Sequence, residues 1–225
     1  RNLGNGAAVG DYDADGDLDV YLLGQAGHPS RLFRNELNGG RPSAARFSDR
    51  TVEAGLGANL GMSRTALFVD LDGDGWLDLV VGNDFAADQG GQRSVIYRND
   101  RDGTFSDVTD GSGFAPQGYV VGGLAVVDEA RRGLPSIYVS YWTADSGGDP
   151  SNPAREASRF PGRNRFYRNL GNFRFEEATA EVGLTMRNDS FQAIFADFDD
   201  DHRPDLYLAI DHRPDRYFRN VDGRF

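Results

Sequence analysis

Aspartate recurs at alternate positions in three short stretches of this chain, always with the same spacing. Counted from its first aspartate as position 1, each stretch has carboxylates at positions 1, 3, 5 and 9. The residues are Asp11, Asp13, Asp15 and Asp19; Asp70, Asp72, Asp74 and Asp78; and Asp197, Asp199, Asp201 and Asp205. Ca²⁺ takes hard oxygen ligands from short loops of this kind. The spacing therefore predicts about three calcium ions, each bound by the four side chains of one stretch.

Positions 6 and 7 have predicted roles as well. Position 6 is Gly16 or Gly75 in two stretches, which suits a tight turn with positive φ. The third stretch has His202 there, and because histidine is strained in that conformation, we predict weaker calcium binding in this stretch. The backbone carbonyl at position 7 is predicted to complete each ligand set, so the side chain there can vary. The position-7 residues are Asp17, Trp76 and Arg203.

An EF-hand is the other loop with an Asp-x-Asp-x-Asp-Gly pattern, and the flanking residues exclude it. An EF-hand requires a bidentate glutamate at position 12 and a helix on either side. Position 12 here is Leu22, Val81 or Leu208, each within a short apolar run typical of a strand. The pattern therefore favours a loop between two strands.

The stretches belong to a longer repeat with a period near 60 residues. Its first positions are Asp11, Asp70, Asp128 and Asp197, so the spacings are 59, 58 and 69 residues. The repeats are predicted at about 5–60, 61–117, 118–187 and 188–225, the last one incomplete, within a single domain over 1–225.

Each repeat contains four short segments rich in Val, Leu, Ile, Phe and Tyr, separated by Gly, Asn and Asp turn signals. In the second repeat they are 65–69, 77–81, 94–99 and 104–109. This pattern predicts an all-β fold built from four-stranded antiparallel units. One such unit cannot bury both of its faces, so neighbouring units must stack. Radial stacking gives a β-propeller, of which about four blades are visible in this chain.

The third repeat keeps the spacing but lacks most of the carboxylates. Our hypothesis is that Arg131 or Arg132 supplies there some of the positive charge that calcium supplies elsewhere. The same repeat contains an insertion at 143–163, which is either a mobile linker or a binding loop. After Asp128, positions 3, 5, 6 and 9 are Ala130, Arg132, Gly133 and Ser136.

Composition excludes several classes of function and site. The formal charge of −11 argues against a nucleic-acid partner, and the absence of cysteine excludes disulfides and thiolate metal sites. No apolar run approaches the ~18 residues of a membrane span. Loops of this type are best saturated at near-millimolar calcium, which predicts an extracellular, cell-surface or periplasmic protein. The chain opens within a repeat-like stretch, so we expect further residues upstream.

Three further motifs accompany the aspartates: residues 6–10 (Gly-Ala-Ala-Val-Gly), residues 97–99 (Tyr-Arg-Asn) and residues 105–109 (Phe-Ser-Asp-Val-Thr). Together they resemble the FG-GAP/VCBS repeats of integrin α-subunit propellers and their bacterial relatives. The Arg-Asn and Phe-x-Asp-x-Thr combination is most similar to the cartilage acidic protein group. The resemblance implies a seven-bladed, usually extracellular propeller with calcium between the first and second strands. The remaining blades would then come from elsewhere, in other repeats or a partner chain.

A non-catalytic binding, adhesion or assembly module is the function that this pattern favours. The three histidines, His28, His202 and His212, lie in polar turns without zinc-ligand spacing or a nucleophilic serine motif. The alternative is an accessory or catalytic propeller of a calcium-dependent polysaccharide-active enzyme. That function requires an acid/base pair in a cleft, which the sequence does not identify.

The expected ligand is a protein or an acidic glycan, bound on the face opposite the calcium loops. In an antiparallel meander, the turns at 82–93 and 143–163 project from that face, where Tyr141 and Trp142 are candidate contact residues. Packing of these two aromatics in the core is the alternative interpretation. Trp76 is a second candidate for stacking on a sugar, unless it packs over its own hairpin.

Overall fold

The structure is a computed structural model that describes residues 6–25, 27–37, 46–84, 93–116, 121–141, 164–186, 190–210 and 213–225.

Its strands form four antiparallel sheets, and each sheet is a meander in chain order. The first sheet contains β1 (Ala7–Gly10), β2 (Asp19–Leu22), β3 (Arg31–Asn35) and β4 (Phe47–Asp49). The second contains β5 (Ser63–Val69), β6 (Asp78–Asn83), β7 (Val95–Asn99) and β8 (Phe105–Asp107). The third contains β9 (Val121–Val127), β10 (Ser136–Tyr141), β11 (Arg165–Asn169) and β12 (Phe175–Glu177). The fourth contains β13 (Ser190–Ala196), β14 (Asp205–Ile210) and β15 (Arg216–Phe218).

The first hairpin of every sheet has the same register. Gly10 pairs with Asp19 in the first sheet, and Val69 pairs with Asp78 in the second. In the third sheet Val127 pairs with Ser136, and in the fourth Ala196 pairs with Asp205. Position 9 is therefore the first residue of the second strand, and positions 1 to 8 form the connecting loop.

The sheets stack face to face in chain order. The first strands of successive sheets contact one another, β1 with β5, β5 with β9 and β9 with β13. Strands β6 and β10 are buried along their whole length because they have a sheet on either side. On the second strands of the first and fourth sheets, by contrast, Leu22 is 43% exposed and Tyr207 is 36% exposed. Three apolar clusters fill the spaces between successive sheets.

A repeated backbone hydrogen bond joins each sheet to the next one. The turn after the fourth strand of one sheet accepts a bond from a phenylalanine amide of the following repeat. Phe105 donates to Ala54 at 3.0 Å, and Phe175 donates to Ser112 at 2.7 Å. Phe225 donates to Val182 at 2.8 Å, so it occupies the place of Phe105 and Phe175 although the fourth sheet has only three described strands.

The prediction of an all-β fold with β-propeller blades is confirmed. Strand ends differ by one or two residues from the sequence pattern, as for β6, which continues to Asn83. The proposed 143–163 insertion lies outside the described residues, as do Trp142 and His212. Within the described residues, no helix has the length and apolar character that crossing a membrane requires.

Candidate metal centres

The aspartate stretches are the loops between the first and second strands. We call them loops 1 to 4, at residues 11–19, 70–78, 128–136 and 197–205. The position-1 carboxylate stabilises each turn, because its oxygens accept hydrogen bonds from the backbone amides at positions 5 and 6. In loop 1, Asp11 accepts from Asp15 at 3.1 Å and from Gly16 at 2.9 Å. The same two bonds recur at Asp70, Asp128 and Asp197.

Two positions in each loop have left-handed backbone conformations. Position 6 has φ of 92° at Gly16, 89° at Gly75 and 65° at His202, which confirms the positive φ predicted there. Position 4 is left-handed too, although no common residue type marks it. Its residues are Ala14, Gly73, Arg131 and Asp200, with φ between 54° and 80°. The sequence did not predict this second left-handed position. Three of its four residues are not glycine, so they adopt a strained backbone that their residue type does not indicate.

Three of the loops each bring three carboxylates together. One oxygen from each residue of a group lies within 4.8 Å of the others. Oxygens that bind one Ca²⁺ at 2.3–2.6 Å lie within about 5 Å of one another, so each group can hold a metal ion. The groups are Asp11, Asp13 and Asp15; Asp70, Asp72 and Asp78; and Asp197, Asp199 and Asp205. The fourth predicted side-chain ligand of each loop, namely Asp19, Asp74 and Asp201, lies outside its group.

The position-7 residues close the turn beside these groups. Their backbone amides donate to the position-5 carboxylates. The bonds are 2.9 Å from Asp17 to Asp15, 2.8 Å from Trp76 to Asp74 and 2.9 Å from Arg203 to Asp201. Position 5 is thereby held by the backbone in all three loops.

The position-9 aspartate is buried and is bonded through both oxygens. Asp78 is 2% exposed and accepts from the amides of Leu71 and Asn99, both at 2.9 Å. Burial raises the pKa of Asp78 to about 7 despite these two bonds, and it raises the pKa of Asp19 to about 6. Asp19 and Asp205 accept the equivalent bonds. The position-9 aspartate therefore connects its loop to the end of the third strand through hydrogen bonds, in addition to lying near the carboxylate group.

Arginine side chains pair with the carboxylates at positions 3 and 5. Arg34 on β3 lies 2.7 Å from Asp13 and 2.9 Å from Asp15. Arg219, at the equivalent place in the fourth sheet, lies 2.6 Å from Asp199 and 3.1 Å from Asp201. In the second sheet the equivalent Arg98 binds Asp100 instead, and Arg101 pairs with Asp74 at 2.5 Å.

Loop 3 has the same hydrogen-bond framework without the carboxylate group. Ser136 replaces the position-9 aspartate and accepts from the amide of Asn169 at 3.2 Å. Arg132 pairs with the buried Glu129 at 3.1 Å, and Arg131 donates to the backbone oxygen of His202. Asp128 accepts its hydrogen bonds from backbone amides. The hypothesis that Arg131 or Arg132 supplies some of the positive charge that calcium supplies elsewhere stays a prediction.

Three segments of the chain, residues 11–81, 70–139 and 157–208, match the family described as FG-GAP-like repeat. This chain belongs to the FG-GAP-like repeat family. The resemblance to FG-GAP repeats drawn from the sequence motifs is thereby confirmed.

The fold of this FG-GAP-like chain is similar to that of an Agrocybe aegerita lectin, solved to explain specific recognition of non-reducing terminal N-acetylglucosamine. The TM-score is 0.52 at 20% sequence identity. The match covers 98% of this chain and 50% of the lectin chain, so this chain spans about half the length of that neighbour. No curated protein matches the sequence.

One residue that sequence reasoning did not place in the site connects the FG-GAP-like repeats through their loops. It is the asparagine of the recurrent Arg-Asn dipeptide at the end of the third strand. Asn99 donates through Nδ2 to Leu77 of its own loop at 3.0 Å and to Tyr12 of the preceding loop at 2.7 Å. Asn169 makes the same two kinds of bond, to Pro135 of its own loop and to Leu71 of the preceding loop. Asn220 likewise donates to Pro204 of its own loop and to Glu129 of the preceding loop. The recurrence of Arg-Asn was a signal for this role.

A groove of about 390 Å³ lies between the first and second FG-GAP-like repeats on the face of the loops. We call it the inter-repeat groove. Its lining includes Trp76, at position 7 of loop 2, and Tyr12, at position 2 of loop 1. The full lining is Tyr12, Asp13, Arg34, Arg50, Glu53, Trp76, Arg101, Asp102 and Gly103.

The opposite face is only partly described. Of the candidate contact residues named there, Tyr141 is 1% exposed and belongs to the apolar core between the second and third sheets. The interpretation of Tyr141 as a ligand contact is therefore wrong, and core packing is correct. Residues 85–92 and 143–163, the turns predicted to project from this face, lie outside the described residues.

Proposed function

We propose that this chain is a calcium-stabilised, non-catalytic binding module that acts outside the cytosol. The observation that supports it most is that the same hairpin of three sheets brings three carboxylates together, at positions 1, 3 and 5 in loop 1 and at positions 1, 3 and 9 in loops 2 and 4. Close carboxylates repel one another, so a bound cation favours the folded loop. A ligand that binds only the folded chain adds stability by mass action.

Calcium is the proposed ion because the proposed donors are carboxylates and backbone carbonyls from short turns. Mg²⁺ requires a near-ideal octahedron and retains several waters, which suits a set with fewer protein ligands. Asp17, Trp76 and Arg203 are proposed to donate their carbonyls, together with the four side chains of each loop. Sites of this kind fill where free calcium is near millimolar, which supports an extracellular, cell-surface or periplasmic location.

A structural role for the loops supports a binding module over an enzyme. Bound calcium would keep the loop carboxylates ionised and occupied, and those at positions 1 and 9, such as Asp70 and Asp78, also accept backbone hydrogen bonds, which suits structure better than proton transfer. A glycan or a protein is the proposed partner, on the face opposite the loops or in a groove between repeats. The fold shared with a glycan-recognising lectin makes glycans the first class to test.

Calcium titration calorimetry and thermal unfolding test the proposal. We expect about three ions per chain, and a melting temperature that falls when calcium is chelated. Asp72→Asn should lose one ion, whereas Asp110→Asn, whose side chain is 94% exposed and outside the loops, should behave as wild type. Absence of binding at millimolar calcium, or a melting temperature indifferent to chelation, would contradict the proposal.

A glycan array combined with an activity assay on polyuronates separates binding from catalysis. Retention of glycans without turnover is the expected result. Turnover that is lost, with the fold intact, on changing a single residue outside the loops would favour an enzyme instead.

A further inference from the structure

The inter-repeat groove combines aromatic and cationic side chains in a way that the loops themselves do not require. Trp76 occupies position 7, whose proposed contribution to the metal is a backbone carbonyl. The equivalent residues of loops 3 and 4 are Leu134 and Arg203, so the loop does not need an aromatic side chain there. Trp76 is partly exposed at the groove, and the buried Tyr12 also lines it. An indole presented in this way offers a flat apolar surface to a ring-shaped ligand.

Three arginines line the same groove, and each already has an acidic partner. Arg34 pairs with Asp13 and Asp15 of loop 1, and Arg101 pairs with Asp74 of loop 2. Arg50 pairs with Glu36 at 3.0 Å through Nη2, while its buried Nε has no hydrogen-bond partner. A guanidinium group has five donors in a planar fork, so each of these side chains can bind a further carboxylate.

Calcium changes the charge balance of the groove. The partners of Arg34 and Arg101 are residues of loops 1 and 2, and these carboxylates are proposed to bind calcium. Each of these loops has at least four carboxylates, so a divalent ion cancels part of their charge and weakens their attraction for the two guanidinium groups. The groove, whose lining also includes Glu53 and Asp102, therefore repels an anion less when calcium is bound than when it is absent.

We propose that the inter-repeat groove binds an acidic saccharide, with Trp76 against the sugar ring and Arg34, Arg50 and Arg101 around its carboxylate. Calcium in loops 1 and 2 strengthens this binding. The inference rests on the proposed calcium-dependent binding function and assigns it a ligand class and a place. The related cavity of about 270 Å³ between the third and fourth repeats has Arg203 in place of Trp76, so it lacks the stacking surface.

The test is titration of the calcium-loaded 225-residue chain with methyl β-D-glucuronide, followed by NMR and calorimetry. We expect the glucuronide to shift the indole resonance that is missing from the Trp76→Ala spectrum. Methyl β-D-glucoside, which lacks the carboxylate, and acetate, which lacks the ring, should each bind at least about tenfold more weakly. Equal binding of either control compound would overturn the assignment.

Substitutions locate the ligand without disturbing the ions. Trp76→Ala and Arg50→Ala should each weaken glucuronide binding about tenfold, and Arg50→Ala, which lies outside the loops, should leave calcium binding unchanged. The matched controls are Arg203→Ala, at position 7 of loop 4, and Arg98→Ala, whose guanidinium binds Asp100 outside the groove. Unchanged affinity in Trp76→Ala would overturn the proposal.

The calcium dependence is tested by removing one ion at a time. Asp72→Asn in loop 2 and Asp199→Asn in loop 4 should each lose one ion, but only Asp72→Asn should weaken glucuronide binding. An equal effect of both variants would overturn the local coupling. If the wild-type chain binds calcium but no glucuronide, this inference fails and the proposed function stands. If it binds no calcium, the proposed function itself fails.

Discussion

Asn99, at the end of β7 in the second sheet, donates a 2.7 Å hydrogen bond from its side-chain amide to the backbone oxygen of Tyr12 in loop 1. The same nitrogen donates to Leu77 of loop 2. One buried amide therefore fixes the spacing between two successive loops. Since Asn169 and Asn220 repeat the arrangement, the loops are coupled to one another along the stack of sheets.

We predict that Asn99→Ala destabilises the chain by about 2 kcal/mol, because the buried carbonyl oxygen of Tyr12 and the partly buried one of Leu77 lose their donor. The control is Asn35→Ala. Within the described residues, Asn35 Nδ2 donates to Leu18 of its own loop at 3.2 Å and joins no second sheet, so its removal should cost less. Urea unfolding of both variants in saturating calcium measures the difference. Equal losses would show that the bond between sheets contributes nothing beyond the bond within one sheet.

Glycine at the contact between repeats gives a second prediction. Gly113 and Gly103 both have left-handed backbones, with φ of 84° and 86°. A Cβ on Gly113 would overlap the backbone oxygen of Phe175 in the next sheet, whereas a Cβ on Gly103 meets nothing within 4 Å. Gly103→Ala should therefore lower the free energy of unfolding by about 1–2 kcal/mol from backbone strain alone. Gly113→Ala should lower it clearly more, because the overlap with Phe175 adds to the strain. Chemical unfolding of both variants measures this difference. Equal losses of unfolding free energy would mean that the sheets move apart readily to accommodate the new side chain.

The sequence was sufficient for the strand meanders and for the place of the loops, because both follow from short-range patterns. Alternating aspartates mark the turn, and β-branched and aromatic runs mark the strands on either side. It was insufficient for what depends on neighbouring elements. The position-4 turn residues share no side-chain type, Arg34 reaches its carboxylates from another strand, and the second bond of Asn99 crosses to a different repeat. Burial of Tyr141 likewise follows from stacking of the second and third sheets.

The position-9 aspartates predict how the calcium-free chain responds to pH. Burial raises the pKa of Asp78 to about 7 and that of Asp19 to about 6, above the ordinary value of 3.8. Because the folded-state pKa values are raised, their stabilising contribution is complete below about pH 4 and is lost as the pH rises through 6 to 7. Calcium requires the ionised carboxylates, so calcium affinity should rise over the same range.

The measurement for this prediction is urea unfolding of the metal-depleted chain between about pH 4 and pH 8. Asp78→Asn is the control, because it removes the titrating group and should leave a smaller loss of unfolding free energy as the pH rises. Wild type and Asp78→Asn with the same pH profile would exclude Asp78 as the group responsible.

Exchanging the position-6 residues of loops 2 and 4 tests how much His202 lowers the stability and calcium affinity of loop 4. Its φ of 65° is a strained value for histidine, whereas Gly75 has φ of 89° without a side chain to oppose it. His202→Gly should therefore stabilise the chain by about 1 kcal/mol and raise the calcium affinity of loop 4. The reverse change, Gly75→His, should lower stability and calcium affinity in loop 2. The amide resonances of residues 16, 75 and 202 report each loop separately during a calcium titration. If loop 4 fills before loops 1 and 2 in the wild-type chain, the histidine does not weaken its site.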